Sequence, residues 1–207
     1  MLTRRIQRGL TMIEMMVALV IGALILMLAL PSFSIFLQNT QIRNGAESIL
    51  DGLNFARTEA VRLNTPIRFQ FVSDLTASCA LSANSMAYVV SPADPTGVCN
   101  TPVGQVTAPQ TIPTIIRARS ASEGTGNVVI TSAGGATTAI FTGLGRLQSA
   151  GITQIDITNR SGTCQYADPV NGTMRCLRIL VSSGGQARLC DPQVATPVPP
   201  VIDPRAC

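Results

Sequence analysis

The chain contains no histidine and no tryptophan, and all 15 of its basic residues are arginine. Without histidine there is no Ser–His or Cys–His nucleophile pair and no imidazole to bind zinc, which excludes most hydrolase and zinc-enzyme chemistries. Charged residues are scarce, 13% of the 207 residues against a typical ~25%, while apolar residues reach 46%. Part of the chain is therefore built for surroundings other than water. Aromatic residues are few, two Tyr and six Phe, which gives little surface for stacking nucleic-acid bases. The net charge of +4 is concentrated at one end: Arg4, Arg5 and Arg8 lie in the first nine residues, and beyond them 12 Arg face 11 acids. That balance implies no nucleic-acid partner from bulk charge.

What the chain does have is a long apolar run. A short basic segment, Met1 to Gly9, precedes unbroken apolar sequence from Met15 to Leu30, which continues more loosely through Pro31 to Leu37. About 20 helical residues cross a bilayer core. A secretory signal peptide has a shorter apolar region, ~7–15 residues, ended by a small-residue cleavage site, and none clearly ends this run. The basic flank is expected to stay cytoplasmic, which sends the bulk of the chain across the membrane. Glu14 sits at the edge of the run, where a carboxylate costs about 1–3 kcal/mol to insert unless it meets a cation.

From Gln38 the pattern becomes amphipathic. Ile42, Ala46, Ile49, Leu53, Ala56, Ala60 and Leu63 follow steps of four and three and form one stripe on a helix. Asn64-Thr65-Pro66 is a stop signal, because Asn tolerates the left-handed cap and Pro ends helices. Beyond it the helical stripe gives way to short β-rich runs: Ile67–Val72, Met86–Val90, Thr114–Arg119, Asn127–Thr131, Ala139–Phe141, Ile152–Thr158, Arg175–Val181 and Gln186–Cys190. Gly, Pro, Ser and Asn punctuate the gaps, and Gly184-Gly185 reads as a hairpin turn. The expected fold is α+β, a long N-terminal helix (a membrane half and an amphipathic half) packed on a small antiparallel β-sheet or sandwich domain with disulfides. The expected divisions are a leader at 1–9, a transmembrane or filament-core helix at 10–37, an amphipathic helix at 38–64, and a β domain at 65–207 with an extended Pro-rich tail.

The six cysteines, Cys79, Cys99, Cys164, Cys176, Cys190 and Cys207, all lie in the β domain. An even number beyond a membrane segment reads as disulfides, with nearest-neighbour pairing the simplest of several possibilities. Zinc is disfavoured by the lack of histidine and of any C-x-x-C spacing. No catalytic constellation, cofactor motif or metal site is found. Asp156, Asp168 and Asp191 read as isolated turn or surface residues, and Gly143-Leu144-Gly145-Arg146 is a turn that lacks the rest of a phosphate-loop pattern.

The string Arg8-Gly9-Leu10-Thr11-Met12-Ile13-Glu14 resembles the class III signal of type IV prepilins and pseudopilins. The resemblance implies that a membrane-bound prepilin peptidase cuts after Gly9 and that Leu10 becomes the N-methylated first residue. Glu14, then the fifth mature residue, would pair with the amino terminus of a neighbouring subunit, and Pro31 would allow the helix to bend or melt in the fibre. The segment Ala56-Arg57-Thr58-Glu59-Ala60-Val61-Arg62-Leu63-Asn64 is similar to the close of the helix in the GspH/FimT group of minor pilins and pseudopilins. That likeness implies a non-enzymatic subunit of the inner membrane with a periplasmic domain, assembled with other pilins at or near the tip of a type IV pilus. It also admits a type II secretion pseudopilin, or a DNA-binding subunit for natural transformation. In DNA-uptake members a Gly-Arg-x-Arg motif contributes to binding. Here Gly185-Gln186-Ala187-Arg188 keeps only the second arginine, leaving Arg188 with Arg178 and Arg175 as the candidate patch.

Overall fold

The computed structural model describes residues 11–106, 112, 114–123, 126–148, 151–194 and 203–207, and residues 28–31 in their backbone only. It opens with a helix, α1 (Met12–Leu63), followed by eight strands: β1 (Ile67–Phe71), β2 (Tyr88–Ser91), β3 (Arg117–Arg119), β4 (Val128–Ser132), β5 (Thr138–Phe141), β6 (Gln154–Asn159), β7 (Leu177–Val181) and β8 (Ala187–Cys190). Each strand falls within or one residue beyond a β-rich run read from the sequence. The chain divides into two compact units, Met1–Leu37 and Gln38–Cys207.

In the first unit, every large apolar side chain from Met12 to Met27 is more than half exposed. A continuous apolar surface of this extent has no solvent-facing rationale and marks a segment built to be covered.

The second unit begins with the amphipathic part of α1. Ile42, Ala46, Ile49, Leu53, Ala56 and Ala60 are fully buried, and Leu63 is half-buried, so the stripe is the core face of the helix. The small residues on this face let the sheet come close. At Gly52 an added Cβ would lie 2.8 Å from the rings of Phe69 and Tyr88. The helix ends in a Schellman motif. Asn64 takes φ 48°, the Thr65 N–H donates to the Ala60 carbonyl at 3.2 Å, and the Asn64 N–H donates to the Val61 carbonyl at 3.3 Å.

Two four-stranded antiparallel sheets complete the unit, in the orders β3-β2-β1-β5 and β4-β6-β7-β8. Phe69, Phe71, Tyr88 and Phe141 from the first sheet meet Ile130, Ile155, Ile157 and Ile179 from the second and the helix stripe in one core. The Phe69 ring lies 5.0 Å edge-on from Phe71 and 4.8 Å from Tyr88. Strand β2 is buried along its whole length because both its faces are covered. Tyr88 and Val90 point into this core, and Val89 into a smaller cluster with Val72, Cys79, Cys99 and Ile115. Strand β6 shows the ordinary alternation, with Ile155, Ile157 and Asn159 inward.

Candidate functional site

The candidate assembly segment begins at the start of α1. Gly9 and Leu10, the expected cleavage and methylation sites, lie outside the described residues. Thr11 and Glu14 cap the helix reciprocally: the Thr11 N–H donates to Glu14 Oε2 at 3.4 Å, and the Glu14 N–H donates to Thr11 Oγ1 at 3.3 Å. This is the Ser/Thr-x-x-Glu capping box, in which two main-chain donors left over at a helix start are each satisfied by the other residue's side-chain oxygen. The signal for it is local, the Thr11-Met12-Ile13-Glu14 spacing at the edge of the apolar run. Pro31 lies within the backbone of α1. Among the described residues no single helix is long and apolar enough to cross a membrane, whereas Met12–Met27 and Ser32–Leu63 taken as a bent pair match a span in length and composition.

Within the second unit, three disulfides join Cys79 to Cys99, Cys164 to Cys176 and Cys190 to Cys207, with Cα–Cα distances of 6.1, 5.5 and 5.2 Å. Each closes a local loop. The loop between Cys164 and Cys176 is further held by Asp168. Its carboxylate accepts the N–H groups of Val170 (3.1 Å) and Asn171 (2.9 Å) and the Asn171 side-chain amide (3.1 Å). These bonds, that from the Asn171 N–H first, hold the Asp168 carboxyl below the usual carboxylate range. At Gly172 an added Cβ would lie 2.5 Å from the Asp168 carbonyl and 2.7 Å from that of Cys164, so the closure of the loop requires glycine.

The three arginines of the expected patch are each engaged. Arg178 on β7 lies directly opposite Asp156 on β6, and its Nε donates to Asp156 Oδ1 at 2.6 Å. Arg175 Nη2 donates to Asp191 Oδ2 at 3.1 Å. Arg188 donates from Nη1 to the Ala206 carbonyl at 3.1 Å and from Nη2 to the main-chain oxygen of Cys207 at 3.3 Å. The expectation that Asp156 and Asp191 are isolated is corrected on the same ground. Strand pairing places an arginine across from Asp156. Asp191 is buried at the end of β8, where its N–H also donates to the Arg205 carbonyl at 2.7 Å and so ties down residues 203–207. Asp168 does lie in a turn.

A contact the sequence reading did not single out joins the helix to both sheets. Arg57 Nε donates to the Gly145 carbonyl at 2.9 Å, in the turn after β5. The β7–β8 turn lies against that same turn: the Leu147 N–H donates to the Ser183 carbonyl at 3.2 Å, and Gly185, at φ 78°, leaves no room for a Cβ beside the Gly145 carbonyl. Gly143 also packs closely on Asn64, whose Oδ1 would lie 2.6 Å from an added Cβ. The "G-x-G" string is thus a packing device between two turns and a helix end. Among the described residues no cluster of three or more His, Cys, Asp or Glu side chains could hold a metal ion.

Two family profiles match this chain. One, described as Type II transport protein GspH, matches residues 45–185; the other, described as Prokaryotic N-terminal methylation motif, matches residues 4–30. No curated protein matches it. Among solved structures, the type IV minor pilin FimU of Pseudomonas aeruginosa (strain PAO1) is similar in two crystal forms. One has 17% identity and a TM-score of 0.48 over 76% of this chain and 97% of that one; the other has 17% identity and a TM-score of 0.42 over 73% and 97%.

Proposed function

The chain belongs to the GspH family of type II transport proteins, and on that premise we propose that it is a minor pilin, processed after Gly9 by a prepilin peptidase and incorporated at or near the tip of a type IV pilus to support its assembly. The observation that carries the reading is the sequence of parts along one chain. A basic leader and methylation motif lead into an apolar helix whose large side chains from Met12 to Met27 are more than half exposed, and the same helix continues as the buried spine of a disulfide-bonded β domain. In this reading Leu10 is N-methylated. Met15 to Leu37 anchors the subunit in the inner membrane as a single pass, with the β domain periplasmic, and later packs among neighbouring pilins. Glu14 pairs with the amino terminus of a neighbour, and Pro31 lets the helix yield in the fibre. The work is done by binding and packing, with no catalytic step.

A second reading, a pseudopilin of a type II secretion system, is favoured by the description of the matching family. The DNA-uptake reading has no such support: of the Gly-Arg-x-Arg pattern only Arg188 stands here, and both its terminal nitrogens hold main-chain oxygens, of Ala206 and Cys207.

The test is co-expression of the full chain with a prepilin peptidase, followed by N-terminal sequencing and recovery of sheared filaments. The expected product begins at methylated Leu10, and Gly9→Leu abolishes it. A chain that keeps Met1, or that is cut beyond the apolar run, overturns the reading.

A further inference from the structure

The globular unit carries an unusual face beside Asn39. Arg43, Arg175 and Arg205 rim a groove of about 400 Å³ whose walls include Leu177 and Leu189. Each arginine is ion-paired, to Glu47, Asp191 and Asp203, but two of the pairs are lopsided. The Arg175 side chain is 59% exposed and its partner Asp191 10%; Arg205 is 70% exposed and Asp203 23%. The acids are turned in and the guanidinium groups out, so the charge presented to the surroundings is positive. Arginine has five donors in a fixed fork, more than one carboxylate occupies, and the remainder are free to bind phosphate oxygens.

The loop closed by Cys164–Cys176 leads into this face at its C-terminal end. It ends at Arg175, whose N–H donates to Asn39 Oδ1 at 2.9 Å. The disulfide and the Asp168 bonds hold its backbone, yet its tip, Val170, is 88% exposed, and Tyr166 is also exposed. A rigid frame that presents an apolar tip loses little conformational entropy when the tip is covered. Asn39 is the second residue after Leu37, where the apolar run ends.

We propose that this face rests on the surface of the bilayer that anchors the chain, with Arg43, Arg175 and Arg205 on the phosphates of anionic headgroups and Val170 and Tyr166 in the interfacial layer. The proposal rests on the reading of Met15–Leu37 as the membrane segment. A bilayer surface is the partner that offers phosphate and hydrocarbon together, and tyrosine favours that interface. Docking holds the β domain close to the membrane before assembly, and extraction into a filament must break it.

The absence of tryptophan makes the test direct, because any tryptophan introduced is the sole one. The full chain is placed in nanodiscs of mixed phosphatidylcholine and phosphatidylglycerol carrying brominated acyl chains, which quench tryptophan on contact. Four variants are compared: Phe33→Trp in the apolar run, Tyr166→Trp and Val170→Trp in the loop, and Leu144→Trp beside the far end of α1. The expected result is quenching at positions 33, 166 and 170 and none at 144. It should weaken at 166 and 170, and not at 33, in pure phosphatidylcholine or when R43Q and R205Q are added. The docked-to-undocked ratio should fall roughly fivefold per arginine at low salt. Arg175 is kept because it holds the buried Asp191. Quenching at 33 with none at 166 and 170 overturns the proposal and leaves the membrane reading standing. No quenching at 33 overturns both. Quenching at 166 and 170 that ignores lipid charge and both arginine changes overturns the headgroup assignment. A tryptophan at 170 that is shielded but unquenched points instead to a protein partner and also overturns it.

Discussion

Glu14 and Thr11 satisfy each other at the start of α1, each accepting the other's main-chain N–H. The carboxylate therefore does something useful in the single chain, before any neighbour supplies a cation. It ends the helix cleanly and lies where the helix dipole favours negative charge. Capping and charge pairing are separable by chemistry, since a glutamine can accept the Thr11 N–H but cannot neutralise an ammonium group.

Glu14→Gln is accordingly expected to keep the helix start and to lose filament incorporation, while Glu14→Ala loses both. Thr11→Ala should cost about 1 kcal/mol of helix-end stability and leave incorporation largely intact. Hydrogen exchange at residues 12–15 reads the cap, and the amount of subunit in sheared filaments reads assembly. Normal incorporation of Glu14→Gln would reduce Glu14 to a capping residue.

Gly52 sets how close the helix lies to the first sheet. Gly52→Ala forces a methyl group to within 2.8 Å of the Phe69 and Tyr88 rings in a core with no slack. The expected cost is about 1–3 kcal/mol, read as a lower denaturation midpoint of the detergent-solubilised full chain. Phe69→Leu alone is destabilising, so partial rescue in the Gly52→Ala, Phe69→Leu double variant would identify the clash as the cause. An unchanged midpoint in Gly52→Ala would mean that helix and sheet can part at no cost.

The three disulfides close loops with sequence separations of 20, 12 and 17 residues. Removing any one pair as a double alanine should cost about 3 kcal/mol, chiefly by freeing the unfolded chain. Loss of Cys79–Cys99 should be felt in the small core with Val72, Val89 and Ile115, and loss of Cys190–Cys207 mainly at residues 203–207. Alkylation of the unreduced protein followed by mass measurement should find no free thiol. Two or more free thiols would contradict the pairing.

Acid should open the C-terminal segment late. The side chain of Arg205, and then its N–H, bond to Asp203 and hold its carboxyl at about 2. A carboxyl whose folded value lies below its unfolded value of ~3.9 contributes stability that is complete above that value and lost as pH falls toward the folded one. The turn at 203–207 should thus persist at pH 4 and loosen only as pH approaches about 2. The carboxyl carbon shift of Asp203, followed by NMR, is the measurement, and a midpoint at the ordinary carboxylate value would sink the claim.

Much of this fold was legible because its signals are local. The stripe from Ile42 to Ala60 needs only the helical period, the stop at Asn64 needs only the left-handed tolerance of asparagine, and most strands announce themselves by β-branched residues between turns, although β3 and β8 contain none. The less legible features depend on register. Nothing within Gln154–Asn159 says that Asp156 will face Arg178, because that pairing exists only once β6 and β7 align. The same holds for the insertion of β5 beside β1, which splits the strands into two sheets, and for the meeting of Gly145 with Gly185. The exposed tip at Val170 could not be read either, since a lone valine between Pro169 and Asn171 is ordinary until its frame is seen.

Arg188 is where motif and structure diverge most, and it gives the sharpest test of the two. As a remnant of a nucleic-acid motif it would face phosphate, and Arg188→Ala would lower affinity for duplex DNA while Gln186→Arg raised it. In the structure its two terminal nitrogens hold the main-chain oxygens of Ala206 and Cys207, so it clamps the segment that the Cys190–Cys207 disulfide ties to β8. Arg188→Ala should then speed reduction of that disulfide by a mild thiol roughly tenfold or more, on the order of the ~1.5–3 kcal/mol carried by hydrogen bonds to a charged group. Reduction of Cys79–Cys99 should be unchanged, which makes it the internal control. Arg188→Lys, which keeps the charge but not the fork, should resemble alanine in the reduction assay. DNA mobility at low salt should be the same for wild type, Arg188→Ala and Gln186→Arg. Salt-sensitive DNA binding lost in Arg188→Ala, with no change in reduction rate, would reverse the assignment and make the clamp incidental.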